Sequence, residues 1–208
     1  MAERTDMTYI KMCGLTRMSD ITAVNSVKPE YVGFVFYEKS KRYITPSKAV
    51  ELKGLLSPEI KAVGVFVNES AEVVAGLLES GVIDIAQLHG DEDEEYISGL
   101  RRMTDKPIIQ AFRIRSAADA ERARQSSGDM ILLDAGAGDG KAFDWSLISN
   151  IERPYFLAGG LSCQNVAQAV RELHPYGVDV SSGIETDGIK DIEKMAAFAG
   201  AVRKDNAL

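Results

Sequence analysis

The sequence predicts a (β/α)8 barrel, a closed α/β fold, because strand-like and helix-like segments alternate along it with regular spacing. The eight strand-like runs start about 22 to 30 residues apart, near residues 9, 31, 61, 83, 107, 130, 155 and 177. A doubly wound open sheet gives the same alternation. It usually has fewer strands, however, and often a GxGxxG turn after the first strand, which this chain lacks.

Local signals define the elements of the first half. Ile21, Val24 and Val27 recur at helical spacing, and Thr45 followed by Pro46 is typical of a helix N-terminus. In order, this half predicts strand 9–14, helix 19–27, strand 31–36, helix 46–56, strand 61–66, helix 70–80 and strand 83–88.

The same alternation continues in the second half, where the one weak element is a short helix near Trp145. In order, this half predicts helix 93–103, strand 107–112, helix 116–125, strand 130–133, a short helix from 145, strand 155–158, helix 165–173, strand 177–180 and helix 191–202. Each strand end should therefore lie on one face of the barrel.

Composition indicates one globular domain over residues 1–208, with residues 1–7 as a short N-terminal extension. Of the 208 residues, 45% are hydrophobic and 26% are charged, and no Pro- or Gly-rich linker divides them. The N-terminus mixes both charge signs without an apolar stretch, and no apolar run approaches the roughly 18 residues of a membrane helix. We therefore expect a cytoplasmic enzyme that binds no membrane.

Charge and cysteine usage exclude further classes. A net charge of -7 argues against a nucleic-acid surface, although local devices such as helix N-termini and glycine-rich loops suit a small anionic substrate. Cys13 and Cys163 are far apart without metal-ligand spacing, and the chain has only two histidines. We expect neither a metal site nor a disulfide. Monomer and homodimer both remain open.

Polar residues collect where the predicted strands end, which is where barrels of this type place their active sites. The ring contains Cys13, the loop around Arg42, Asn68, Gln87, His89, Arg113, Asp134, Gly159, Gly160, Ser181, Ser182 and Gly183. Side-chain alternation puts Lys11 on the same face as Cys13, so Lys11 is expected to pair with Asp179 or Asp134 across the barrel. Small residues after strands seven and eight indicate a phosphate site.

Each of these residues also has an ordinary structural interpretation. Cys13 fits a small core residue, His89 a satisfied core hydrogen bond, and Asp134 a turn or helix cap before glycine. Either glycine motif alone fits a tight turn. The functional interpretation is favoured because all of them occur at strand ends of one barrel.

Seven motifs, in this order, resemble phosphoribosylanthranilate isomerase of tryptophan biosynthesis, from about residue 8 to the end of the chain. They are 11–14 (KMCG), 40–42 (SKR), 87–90 (QLHG), 132–134 (LLD), 143–145 (FDW), 157–161 (LAGGL) and 179–185 (DVSSGIE). The resemblance implies a cofactor-free Amadori rearrangement of N-(5-phosphoribosyl)anthranilate to 1-(2-carboxyphenylamino)-1-deoxyribulose 5-phosphate. One departure is 162–164 (SCQ), where the family more often has proline and an acidic residue, so that Cys163 inherits no role.

The resemblance also implies residue roles. Cys13 matches the general base, Asp134 the general acid, and Arg42 the arginine that holds the anthranilate carboxylate. The phosphate-binding positions are Gly159, Gly160, Ser181, Ser182 and Gly183, and the pocket-lining positions are Gln87, His89 and Asp179.

The chemistry asks for one acid at the ribose ring oxygen and one base at the C2' proton. We expect a cation such as Lys11 to lower the pKa of Cys13, and burial to raise the pKa of Asp134. No lysine follows either glycine motif closely enough to bind the phosphate, so backbone N–H groups should bind it.

Three rivals share parts of this pattern. Indole-3-glycerol-phosphate synthase shares the fold and phosphate site but relies on a catalytic lysine and glutamates, and its chains are longer. A histidine-pathway aminosugar isomerase needs Asp where Cys13 stands. A catalytically silent phosphate-binding barrel would keep the glycine loops but has no reason to keep Cys13, Asp134 and Arg42 together.

Overall fold

The structure, a computed structural model, describes residues 7–134, 145–148 and 151–205. The predicted extension, apart from Met7, lies outside these residues, as do 135–144. The first half contains β1 (Tyr9–Cys13), α1 (Met18–Val27), β2 (Tyr31–Val35), α2 (Pro46–Leu55), β3 (Lys61–Phe66), α3 (Ala71–Glu79) and β4 (Ile85–Leu88). The second half contains α4 (Glu94–Arg101), β5 (Ile108–Arg113), α5 (Ala117–Gln125), β6 (Met130–Asp134), β7 (Tyr155–Ala158), α6 (Val166–Leu173), β8 (Gly177–Val180), β9 (Glu185–Thr186), β10 (Ile189–Lys190) and α7 (Ile192–Asp205).

The predicted barrel is confirmed. Strands β1 to β8 pair in sequence order and in parallel, and β8 closes the barrel by pairing with β1. The weak element near Trp145 is a three-residue 3-10 helix, Trp145–Leu147, and a second one, Ser182–Ile184, follows β8. The polar strand ends therefore meet around one mouth.

Two apolar layers position that mouth. Inside the barrel, residues such as Ile109, Leu132 and Phe156 are fully buried against one another. The larger layer lies between the strands and the helices and includes Ile10 and Met12. Lys11 and Cys13 alternate with these two residues on β1, which confirms the predicted division of the strand into two faces.

Tyrosines close the opposite end of the barrel, near the strand N-termini. The hydroxyl groups of Tyr31 and Tyr176 are hydrogen-bonded at 2.9 Å, and Tyr9 packs edge-on against Tyr31 with ring centroids 6.2 Å apart. This end is filled by aromatic packing, so the site is restricted to the carboxyl ends of the strands. Among the described helices, none is long and apolar enough to cross a membrane.

Candidate active site

A buried ion pair lies below the mouth. Strand pairing places Lys11 beside Asp179, and the Lys11 Nζ atom lies 2.9 Å from Asp179 Oδ1. The Lys11 side chain has no exposed surface, and that of Asp179 is 10% exposed. Of the two partners the sequence left open, the ion pair is with Asp179. Burial lowers the pKa of Lys11, but the charges of Asp179 and Cys13 outweigh it and hold that pKa above its ordinary value.

Cys13 ends β1 and is buried, with 8% of its surface exposed. Burial, reinforced by the negative charge of Asp179, raises the pKa of the Cys13 thiol, although Lys11 and Lys190 act in the opposite direction. Lys11 thus acts in the expected direction, but burial outweighs it, so the net shift of the pKa is upward. Without a bound substrate the thiol is mainly protonated at neutral pH.

Asp134 ends β6 and lies close to His89, which follows β4. His89 Nε2 is 3.5 Å from Asp134 Oδ2, and His89 Nδ1 is 2.9 Å from the amide nitrogen of Gln87. With the amide assigned this way, Gln87 donates to Nδ1, so the neutral imidazole carries its proton on Nε2 and points it towards Asp134. The predicted Gln87 and His89 thus form a chain of contacts that ends at the predicted acid.

Gln87 is almost fully buried, and its Oε1 atom has no hydrogen-bond partner among the described residues. A buried carbonyl oxygen without a partner is rare, and such an atom at a strand end is suited to a ligand hydroxyl.

A cavity of about 820 Å³ opens beside the ends of β4 and β5. Its lining includes His89 and Arg113 but not Cys13, so this cavity covers only part of the ring of predicted site residues.

The two predicted phosphate loops lie in direct contact. Gly159 and Gly160 have φ values of 97° and 65°, in the region that favours glycine. A β-carbon at Gly183 would overlap the carbonyl oxygen of Leu161, so only glycine allows the loops after β7 and β8 to approach this closely. The Ser181 hydroxyl donates to the Cys13 carbonyl oxygen at 3.1 Å, which ties the second loop to β1.

Arg42 reaches the mouth from the loop after β2, and its guanidinium is engaged by Glu185. Arg42 Nε and Nη2 donate to the two Glu185 carboxylate oxygens at 2.6 and 2.7 Å. Arg42 and other cations hold the pKa of Glu185 down, against the effect of burial, at about 2. The sequence predicted Arg42 as a site residue but assigned no role to Glu185.

Lys190 lies beside the predicted phosphate loops and was not singled out from the sequence. Its Nζ atom donates to Glu185 at 2.7 Å and to the Ser181 carbonyl oxygen at 2.9 Å, and its side chain is only 3% exposed. The hairpin of β9 and β10 returns Lys190 to Ser181, so a lysine does lie beside the second loop. That backbone N–H groups bind the phosphate stays a prediction. Asp187 and Gly188, both with positive φ, are the Asp-Gly turn signal that would have predicted this hairpin.

Comparisons with known proteins identify one family. The family model described as N-(5'phosphoribosyl)anthranilate (PRA) isomerase matches residues 10–201. The N-(5'-phosphoribosyl)anthranilate isomerase of Endomicrobium trichonymphae is 44% identical over 194 residues, which cover 91% of this chain and 95% of that protein. The enzyme of the same name from Thermoanaerobacter sp. (strain X514) is 42% identical over 204 residues, covering 95% and 98%.

Solved structures give the same result. Phosphoribosyl anthranilate isomerase from Thermotoga maritima superimposes with a TM-score of 0.88 at 36% identity, covering 95% of this chain and 100% of that one. A phosphoribosyl anthranilate isomerase in complex with reduced 1-(o-carboxyphenylamino)-1-deoxyribulose 5-phosphate gives a TM-score of 0.85 at 36% identity, with the same coverage. On this evidence the chain belongs to the N-(5'-phosphoribosyl)anthranilate isomerase family.

Proposed function

We propose that this chain isomerises N-(5-phosphoribosyl)anthranilate to 1-(2-carboxyphenylamino)-1-deoxyribulose 5-phosphate, with Asp134 as the general acid and Cys13 as the general base. The observation that carries the proposal is that a thiol and a carboxyl group end two strands, and an arginine and two glycine loops follow three others, around one mouth. The substrate carries a carboxylate and a phosphate, so it offers one anion to Arg42 and one to the loops.

The reaction begins at Asp134. Its carboxyl group gives a proton to the ribose ring oxygen while the C1'–O bond breaks and the anthranilate nitrogen forms a double bond to C1'. His89 lies beside the resulting carboxylate, and its Nε2–H stabilises the charge that Asp134 acquires.

Cys13 then removes the C2' proton of the Schiff base. The electrons of the C2'–H bond form the C1'=C2' double bond, the nitrogen regains its lone pair, and the enolamine tautomerises to the ketone. This step needs the thiolate, and because the pKa of Cys13 is raised, only a minor fraction of the substrate-free enzyme holds it at neutral pH. Lys11 and Lys190 lower the pKa of Cys13 and so increase the thiolate fraction.

Backbone N–H groups of Gly159, Gly160, Ser181, Ser182 and Gly183 bind the phosphate in this proposal. Lys190 adds a cation against the second of these loops. Asp179 is predicted to line the pocket. In this proposal it acts through Lys11, because their ion pair holds a positive charge next to Cys13.

The test is turnover of N-(5-phosphoribosyl)anthranilate generated in situ, followed by the loss of its fluorescence. Cys13→Ala should lose about 10²- to 10⁴-fold in kcat, the usual contribution of a positioned base. Cys163→Ala is the matched control, because Cys163 is the other free thiol and has no predicted role. Activity of folded Cys13→Ala within a few-fold of wild type would refute the mechanism. An inactive wild type would favour a silent phosphate-binding barrel.

We further propose that the protein acts as a single domain in the cytoplasm, as a monomer or a homodimer. The Thermotoga maritima enzyme is described as dimeric in a structure of its engineered monomers, which supports testing both states. Light scattering of the purified protein at micromolar concentration distinguishes them.

A further inference from the structure

Glu185 makes contacts that the proposed mechanism does not use. Its carboxylate is almost fully buried, with 6% of the side chain exposed, and it lies between two cations. Oε1 accepts from both Lys190 Nζ and Arg42 Nε, whereas Oε2 accepts from Arg42 Nη2. The carboxylate therefore connects the loop after β2 to the hairpin that follows β8.

This arrangement fixes the plane of the Arg42 guanidinium. A guanidinium has five N–H donors in a rigid fork, and the edge formed by Nε and Nη2 is occupied by Glu185. The edge formed by Nη1 and the second Nη2 hydrogen has no hydrogen-bond partner within residues 7–134, 145–148 and 151–205. One edge is thus held while the opposite edge is available to a second carboxylate.

Packing holds the rest of the side chain. A β-carbon at Gly14 would overlap Cδ of Arg42, so the arginine stem lies directly on the backbone of the residue after Cys13. The stem is held by Gly14 and one guanidinium edge by Glu185, which leaves the guanidinium little freedom to rotate. An arginine fixed in this way loses less entropy on binding than a mobile one.

We propose that Glu185 is a positioning residue that holds one edge of Arg42 so that the opposite edge receives the anthranilate carboxylate. The inference rests on the proposed function, because it assigns the substrate's carboxylate to Arg42. It predicts that Glu185 acts on substrate binding through Arg42 and on no step of proton transfer.

The test uses Glu185→Gln, which is isosteric. Its retained oxygen can still accept from Lys190, but its amide NH₂ replaces Oε2 and meets the Nη2 donor of Arg42. KM should rise about 10-fold while kcat changes less than about 3-fold, and Glu185→Asp should recover part of the loss. Glu51→Gln, which removes a carboxylate from an exposed ion pair with Lys48, is the matched control and should leave both constants unchanged.

Two further measurements separate positioning from a structural role. The affinity of reduced 1-(o-carboxyphenylamino)-1-deoxyribulose 5-phosphate should fall about 10-fold in Glu185→Gln, whereas that of the same compound without its carboxyl group should be unchanged. In the background of Arg42→Ala, which itself should raise KM by roughly 10- to 100-fold, Glu185→Gln should add little.

A KM in Glu185→Gln equal to or below that of wild type would overturn the inference, because Glu185 would then compete with the substrate for Arg42. Equal weakening of both compounds would also overturn it. If Arg42→Ala leaves KM unchanged, the proposed role of Arg42 fails first, and an inactive wild type would refute the proposed function as a whole.

Discussion

Replacing Lys11 with methionine removes one half of the buried ion pair and leaves the Asp179 carboxylate inside the barrel without its cation. Breaking a buried pair in this way costs about 3–5 kcal/mol, whereas an exposed pair contributes about 0–1 kcal/mol. Lys11 is fully buried and lies 2.9 Å from Asp179, so this ion pair belongs to the buried class. We therefore expect Lys11→Met to lower the free energy of unfolding by about 3–5 kcal/mol.

Urea denaturation followed by circular dichroism measures this difference. Lys53→Met is the matched control, because the Lys53–Asp84 pair is 25% and 30% exposed, and it should cost about 1 kcal/mol or less. The double variant Lys11→Met/Asp179→Asn removes both charges of this buried pair and should recover at least half of the loss. A double variant as unstable as Lys11→Met would refute the argument, since lost packing would then explain the whole effect.

The pH dependence follows from the direction of the Lys11 shift. Because its pKa in the folded protein is raised, its contribution to stability is fully present below about pH 10 and is lost only as the pH rises through the folded value. The difference between wild type and Lys11→Met should therefore be constant between pH 6 and 9. A difference that shrinks within this range would show that Lys11 loses its proton at a lower pH than a raised pKa predicts.

The same variant tests the thiolate. Burial raises the pKa of Cys13 and Lys11 lowers it, so the removal of Lys11 should raise that pKa further. In wild type, kcat should rise with pH through neutrality, and in Lys11→Met this rise should shift to higher pH. An unshifted profile of kcat between pH 6 and 10 would separate Lys11 from the base.

Three other predictions concern the acid, the phosphate loops and the mouth. Asp134→Asn should lose about 10²- to 10⁴-fold in kcat while retaining the affinity for the reduced product analogue, as measured by titration. Gly183→Ala should force the loops apart at Leu161 and raise the inhibition constant of inorganic phosphate about 10-fold. Gly54→Ala, which has open space around it, is the control and should leave this constant unchanged. Equal inhibition constants in the two variants would count against the loop assignment. The pKa of Glu185 is lowered to about 2, so its contribution to stability is fully present above about pH 4.5 and is lost as the pH falls towards 2. The difference in unfolding free energy between wild type and Glu185→Gln should therefore shrink by about 3 kcal/mol from pH 5 to pH 2.

The barrel was predictable because its evidence is local and repeated. Each strand and helix has its own periodicity, and the spacing of eight strands adds independent support. The Lys11–Asp179 pair was nearly predictable for a related reason, since alternation fixes which face each residue occupies. Choosing Asp179 over Asp134 required the pairing of β1 with β8, which depends on barrel closure rather than on any local pattern.

The rest of the site was not predictable, because it depends on the burial of Cys13 and on the hairpin of β9 and β10. The sequence supplied the charges around Cys13 but not its burial, and burial decides the direction of the pKa shift. It also placed Arg42 at the mouth but did not reveal that Glu185 occupies one edge of the guanidinium. That contact joins residues 143 positions apart, and only the two-residue strands of the hairpin bring Lys190 into the same cluster.

A thiol suits position 13 because of how charge is distributed around it. Lys11 and Asp179 cancel each other, so a neutral Cys13 leaves the buried interior of the mouth without net charge. A carboxylate at the same place would add a second buried anion beside Asp179. In the proposed mechanism Cys13 gives up its proton, and the cations that favour the resulting thiolate are Lys11 first and then Lys190.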